Sequence, residues 1–286
     1  MYKRMYMVFI LMVAAVFVGG ISSASSGDMN TALKRLASEN GSFEFAVIGD
    51  NRSGDGVYSK ITKQIRIRKP LFVMNTGDII PTPGNRHQWQ NFWRLSKEVP
   101  RPYFLVPGNH DINNVASQEV WRDEVDLPGN ETYYSFTVGK NLFVVLNSCD
   151  PRYDRMIAGE QLAWLNRTLN PKKYEHQFVF LHHPLYLWKG ASHYGMSLDR
   201  YPKARNRLHN LLSRKKVNVV FMGHEHTFKK QGKIDGVEYI VTGGAGAPLY
   251  SGFNNVVFVN VDGDIIKAKT VDRNGYLRDE FYIKGP

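Results

Sequence analysis

The chain has a single cysteine, Cys149, in 286 residues, which excludes an internal disulfide framework. Long apolar runs are absent past the first eighteen residues. The one run present, Met5 to Val18, is closed by Gly19-Gly20, short of the ~18 uninterrupted apolar residues expected of a spanning helix. No Pro/Ser-rich linker, block of like charge or internal repeat divides the remainder, so one large domain is expected rather than two. Acidic residues are outnumbered, 26 against 37 basic, for a formal net charge of +11. Such an excess steers anions. The basic clusters Arg66-Ile67-Arg68-Lys69 and Arg214-Lys215-Lys216 carry no interleaved aromatics, so the stacking platform of a nucleic-acid binder is missing. No specific protein partner is evident either.

The amino terminus has a pattern of its own. Met1-Tyr2-Lys3-Arg4, the apolar stretch and the small residues of Ser22-Ser23-Ala24 describe a secretory signal over residues 1–24, cleaved after Ala24. Export to the periplasm or the extracellular space follows; the alternative is an uncleaved membrane anchor. No cysteine near the cleavage point allows a lipid anchor. Residues 25–42 form a leader with room for a short helix, and residues 43–286 form the domain proper.

Within that domain, five short apolar runs read as buried strands: Phe43–Ile48, Leu71–Met74, Tyr103–Val106, Phe178–Leu181 and Val217–Met222. Each is followed at once, or nearly so, by a residue suited to a metal: Asp50, Asp78, Asn109, His182 and His224. In α/β sheets, sites form beyond the carboxyl ends of strands, where loops converge. Carboxylates and imidazoles gathered there suit divalent transition metals, and a shared carboxylate can hold two. Helical patterns alternate with the early strands, and a hairpin (Thr132–Val138, Asn141–Asn147) and late strands (Glu238–Thr242, Asn255–Val261, Ile265–Val271) follow. That order favours an α/β fold with mixed sheets.

The local signatures are Gly49-Asp50-Asn51-Arg52, Gly77-Asp78, Gly108-Asn109-His110-Asp111, His182-His183-Pro184 and Gly223-His224-Glu225-His226. In this order and at these spacings the chain resembles the calcineurin-like metallophosphoesterases from about Phe43 to Thr270, with a likeness to purple acid phosphatases around His182 to Gly195. The resemblance implies a four-layer α/β/β/α sandwich of two mixed sheets. It implies hydrolysis of phosphate esters, with a small phosphorylated substrate and two divalent ions (Mn, Fe, Zn or Co) activating water. Asp78 would bridge the ions. Asp50 and His226 would complete the first site, and Asn109, His182 and His224 the second. His110 would serve as general acid with Asp111 holding its ring, and His183 would pack nearby. His193 inherits a substrate contact, with an exposed loop histidine as the alternative.

Two departures matter. Position three of the first motif, usually histidine, is Arg52, whose guanidinium stays charged and does not ligate a cation. It would grip substrate phosphate instead. Pro81 stands where purple acid phosphatases carry a tyrosine ligand. Arg52 supports a rival reading, a phosphate- or metal-binding protein that keeps the fold with weak or lost catalysis. Cys149 and Arg155 match the C-x₅-R spacing of cysteine phosphatases, but Asp150, Pro151 and Asp154 make a poor phosphate cradle, so the thiol is expected to be packed and inert.

Overall fold

The computed structural model describes residues 26–283 and 285; the signal assigned to residues 1–24 lies outside them. The first half of the chain runs α1 (Ser26–Ala37), β1 (Phe43–Ile48), α2 (Asp55–Arg68), β2 (Phe72–Asn75), α3 (Arg86–Leu95), β3 (Tyr103–Leu105) and α4 (Val115–Glu124). A hairpin of β4 (Tyr134–Val138) and β5 (Asn141–Val145) precedes α5 (Gly159–Thr168), β6 (His176–Leu181), α6 (Pro202–Arg214) and β7 (Val219–Met222). Five strands follow β7 and close the chain: β8 (Phe228–Ile234), β9 (Val237–Thr242), β10 (Asn255–Asp262), β11 (Ile265–Asp272) and β12 (Leu277–Ile283). Local chemistry sets the helix starts. Asn85 caps α3 by accepting the Gln88 N–H, Asn114 and Ser117 form a reciprocal capping box on α4, and Pro202 opens α6. Among the described residues no helix is long and apolar enough to cross a membrane.

Two six-stranded mixed sheets result, in the orders β12-β11-β10-β1-β2-β3 and β4-β5-β6-β7-β9-β8. Strands β1, β2 and β3 are mutually parallel, as are β5, β6, β7 and β9; β4 and the strands β8, β10, β11 and β12 pair antiparallel. Strand alternation splits the core. In β6, Phe178 and Phe180 join the cluster shared with the first sheet, whereas Val179 and Leu181 pack with Leu165 of α5 and Leu208, Leu211 and Leu212 of α6. Phenylalanines fill the gap between the sheets: the Phe45 ring meets Phe143 edge-on at 5.2 Å and Phe178 at 5.4 Å. On the first sheet's outer face, α2 and α3 bury Tyr58, Ile61, Ile65, Trp89 and Phe92. The layers are therefore helix, sheet, sheet, helix, and the parallel strands of both sheets deliver their carboxyl ends to one rim.

Candidate metal centre

At that rim the chain turns off β1, β2, β3, β6 and β7 into tight loops. Small residues permit the approach. Gly77 has φ +100°, and a Cβ there would lie 2.8 Å from both Gly108 N and His182 Nδ1; one on Gly108 would lie 2.2 Å from Asp78 N. Three of the polar residues themselves adopt left-handed backbone, Asp50 at φ 56°, Asp78 at 56° and His224 at 69°. Such conformations cost free energy and cluster at functional sites. All three are buried.

Four donors come within coordination distance on one side. His182 Nε2 lies 3.1 Å from Asn109 Oδ1, 3.3 Å from Asp78 Oδ1 and 3.2 Å from His224 Nδ1. Such edges match a polyhedron around an ion with ligands at about 2.1 Å. His182 Nδ1 donates to the Thr76 carbonyl at 2.9 Å, which leaves the Nε2 lone pair facing inward. At most one proton, on His224 Nδ1, can lie among these four atoms, so the cluster suits a cation. Asp50, Asp78 and His182 form one group able to hold a metal, and His182, His183 and His224 another.

The other side is less open. His226 Nδ1 donates to the Pro248 carbonyl at 2.8 Å, and its Nε2 is buried without a partner, 3.6 Å from Asp50 Oδ1. Asp50 accepts the His224 backbone N–H at 2.9 Å. These donors fit an ion, but the Asp78 oxygen that would be shared with it accepts Arg52 Nε–H at 3.0 Å. The guanidinium thus lies against the carboxylate expected to bridge. Burial, and then Asp78, push the Asp50 carboxyl well above the carboxylate range. Burial works against ionisation at Asp78 too, but His182, His110 and Arg52 together bring its pKa down.

His110 sits beside this cluster with its backbone N–H on Asp78 Oδ1 at 2.9 Å and its ring Nδ1 against the Pro81 carbonyl at 2.7 Å. The expectation that Asp111 holds this ring is corrected. Its carboxylate accepts the backbone N–H groups of Gly108, Asp78, Ile79 and Ile80 at 2.8–3.1 Å, because the loops after β2 and β3 leave those four amides unpaired. Asp111 therefore ties two ligand loops together. A histidine–carboxylate pair does occur, elsewhere: His193 Nδ1 lies 3.1 Å from Glu225 Oε2, and the His193 ring packs 4.2 Å from that of His224. His183 bonds Ser148 Oγ through Nδ1 at 2.9 Å, and its ring lies 4.5 Å from His224. Cys149 is buried next to His183, and burial, then Asp78 and Asp111, push its thiol well up, while Arg155 pairs with Asp154. No phosphate cradle forms from the C-x₅-R spacing. Tyr250, which drew no notice in the sequence, stacks on His226 at 4.6 Å and 7°. Its only sequence signal is its place in the glycine-rich turn after β9.

The buried imidazoles give metal-free protein a definite pH response. Burial above all holds His182, His183 and His224 below the ordinary imidazole range and brings His226 down to about 4; Asp78 opposes it at His182 and the Pro248 carbonyl at His226. In unfolded chain these rings take protons below about pH 6.5. The unfolded state then binds more protons, so stability falls as pH drops from about 6.5 towards 4, by about 1.4 kcal/mol per pH unit for each net proton. Asp50, and Asp111 at about 8, are raised and act in the opposite sense, removing part of the slope contributed by the four rings. Thermal melts of stripped protein should show the midpoint falling across this window, with less change when divalent ions are present. A midpoint independent of pH would contradict the neutral, buried ligand set.

A sandwich of two mixed sheets whose strand ends collect two aspartates, an asparagine and three histidines is the architecture of a metallophosphoesterase domain. Residues 43–228 match the calcineurin-like phosphoesterase family, and the chain belongs to it. Among curated relatives, serine/threonine-protein phosphatase CPPED1 of Mus musculus is 30% identical over 193 residues, covering 63% of this chain and 61% of that protein. The Homo sapiens CPPED1 is 28% identical over 229 residues, 76% of this chain and 71% of that one. Purple acid phosphatase 21 of Arabidopsis thaliana is 30% identical over 203 residues, 65% and 44% respectively. Two solved structures share the fold: purple acid phosphatase PPD1 from yellow lupin (TM-score 0.67, 19% identity, 86% of this chain, 54% of that one) and GAP50, the anchor in the inner membrane complex of Plasmodium (TM-score 0.64, 16% identity, 86% and 90%). The chain thus spans under two thirds of the mouse protein and about half of the lupin enzyme.

Proposed function

We propose that the chain is an exported, metal-dependent phosphoesterase. The observation that carries this reading is the set of four donors made by His182 Nε2 and the three atoms around it, held at coordination distance by loops from both sheets. Asp78, Asn109, His182 and His224 would hold one divalent ion, and Asp50, His226 and Asp78 a second. Bound there, such ions supply Lewis acidity and a nucleophilic water near neutral pH. The protein's own groups orient the substrate and handle its protons. His110, anchored through Nδ1, presents Nε2 to the leaving oxygen. Arg52 exchanges its contact with Asp78 for the substrate phosphate, where a guanidinium offers two parallel N–H donors. A cavity of about 180 Å³ beside Arg52, lined by Asn51, Ser53, Pro81, Gln88, Asn91 and Phe92, receives the organic part of a small ester.

The Arg52–Asp78 ion pair also favours a second reading, a phosphate- or metal-binding protein that has kept the fold without turnover. The GAP50 likeness shows the fold in an anchor protein. A panel of aryl and alkyl phosphates, nucleotides, a phosphodiester and a phosphoserine peptide separates the two. Hydrolysis of any member, with Arg52→Ala raising KM or lowering kcat at unchanged metal content, is the expected result. Absence of turnover across the panel with Mn²⁺ and with Zn²⁺ would overturn the enzymatic reading.

A further inference from the structure

Between the two histidines of Gly223-His224-Glu225-His226 stands a carboxylate with no duty to a metal. Glu225 is buried, 2% exposed, and a buried carboxylate needs partners. It finds them on the loop after β6. Its two oxygens accept the backbone N–H groups of Ser192 at 2.8 Å and His193 at 2.9 Å, and the second also meets His193 Nδ1 at 3.1 Å. Those three contacts, with the backbone turns, hold a segment that has no strand or helix from Pro184 to Ser197 and exposes Lys189, Gly190, Tyr194, Gly195 and Met196.

The consequence for His193 is geometric. Its Nδ1–H is spent on Glu225, so Nε2 is the ring's free end. The ring itself is boxed by His224 at 4.2 Å, His226 at 5.8 Å and Tyr250 at 5.2 Å. Because Glu225 sits between the two imidazoles of the proposed metal centre, any loop it holds is registered to that centre to within one residue. We propose that Glu225 is a positioning residue: it docks the 189–196 loop onto the site and turns His193 so that Nε2 faces the substrate phosphoryl group. The proposal rests on the phosphoesterase reading for its kinetic arm only.

The test uses full mature protein carrying Glu225→Ala, Glu225→Gln, His193→Ala and the Glu225→Ala/His193→Ala pair. Glu225→Ala should lower kcat/KM on an alkyl phosphate about 10–100-fold, the usual loss when a group that orients a functional side chain is removed. Metal content should not change. The double variant should be no worse than His193→Ala, because a group acting through His193 has nothing left to orient. Glu225→Gln, which retains an oxygen for the loop amides, should recover part of the loss. Hydrogen exchange of a peptide spanning 189–196 should quicken in Glu225→Ala whether or not any ester is hydrolysed. Additive losses in the double variant, or a drop in metal content that accounts for the kinetic loss, would overturn the positioning role. Unchanged exchange would overturn the docking even if the protein proves to have no turnover.

Discussion

Asp78→Asn should strip the protein of bound metal and lower turnover by more than about 10³-fold, beyond the 10–100-fold typical of losing an outer contact. In the proposed two-ion arrangement the side chain is the one donor that both ions would share. Its Oδ1 lies 3.3 Å from His182 Nε2 and accepts the His110 backbone N–H, and its Oδ2 accepts Arg52 Nε–H. Asparagine keeps the volume but gives up the negative charge and one acceptor. An amide nitrogen in place of Oδ2 would face the guanidinium donor to donor; in place of Oδ1 it would face the His110 N–H. Either way the partly buried Arg52 guanidinium loses the negative charge opposite it, which is costly. Metal content by elemental analysis and steady-state kinetics check this, with circular dichroism to show that the fold survives. Wild-type metal content and turnover in Asp78→Asn would mean that the shared-carboxylate arrangement is wrong.

His110→Ala is expected to cost about 10²–10⁴-fold on an alkyl phosphate, the range of a general acid. On a nitrophenyl ester, whose leaving group departs without a proton, the loss should be much smaller. The structure bears on how this ring is oriented. The Pro81 carbonyl, not Asp111, takes Nδ1, so Asp111→Asn should loosen the loops of Gly108 and Asp78 without changing the leaving-group dependence. Equal losses of His110→Ala on both esters would assign His110 to binding rather than proton transfer.

Legibility in the sequence followed burial. Strands β1, β2, β6 and β7 lie inside the sheets, and β3, though at an edge, is buried along its whole length, so their residues are mostly apolar and the polar residue after each stands out. Strands β8 and β12 were not legible. Each is an outer strand of its sheet, and Phe228–Ile234 and Leu277–Ile283 leave most side chains partly in water, so neither shows a clean alternation. Lysines at 229, 230 and 233 suit an edge that must not pair further. The Pro184–Ser197 loop shows the same limit at the site. Sequence proximity suggested Asp111 for His110, but the backbone turn between them points that carboxylate at four amides. The imidazole–carboxylate pair arises instead between His193 and Glu225, 32 residues apart, a contact only the tertiary fold creates. Arg52 and Asp78, 26 residues apart, meet for the same reason.

Metal stripped by chelator and then returned in measured equivalents gives the decisive comparison. Phosphate-ester turnover should vanish in the stripped protein and return with Mn²⁺ or Zn²⁺ in step with occupancy, the first equivalent filling the cluster of Asp78, Asn109, His182 and His224. Undiminished hydrolysis by protein shown to hold no metal would contradict the account.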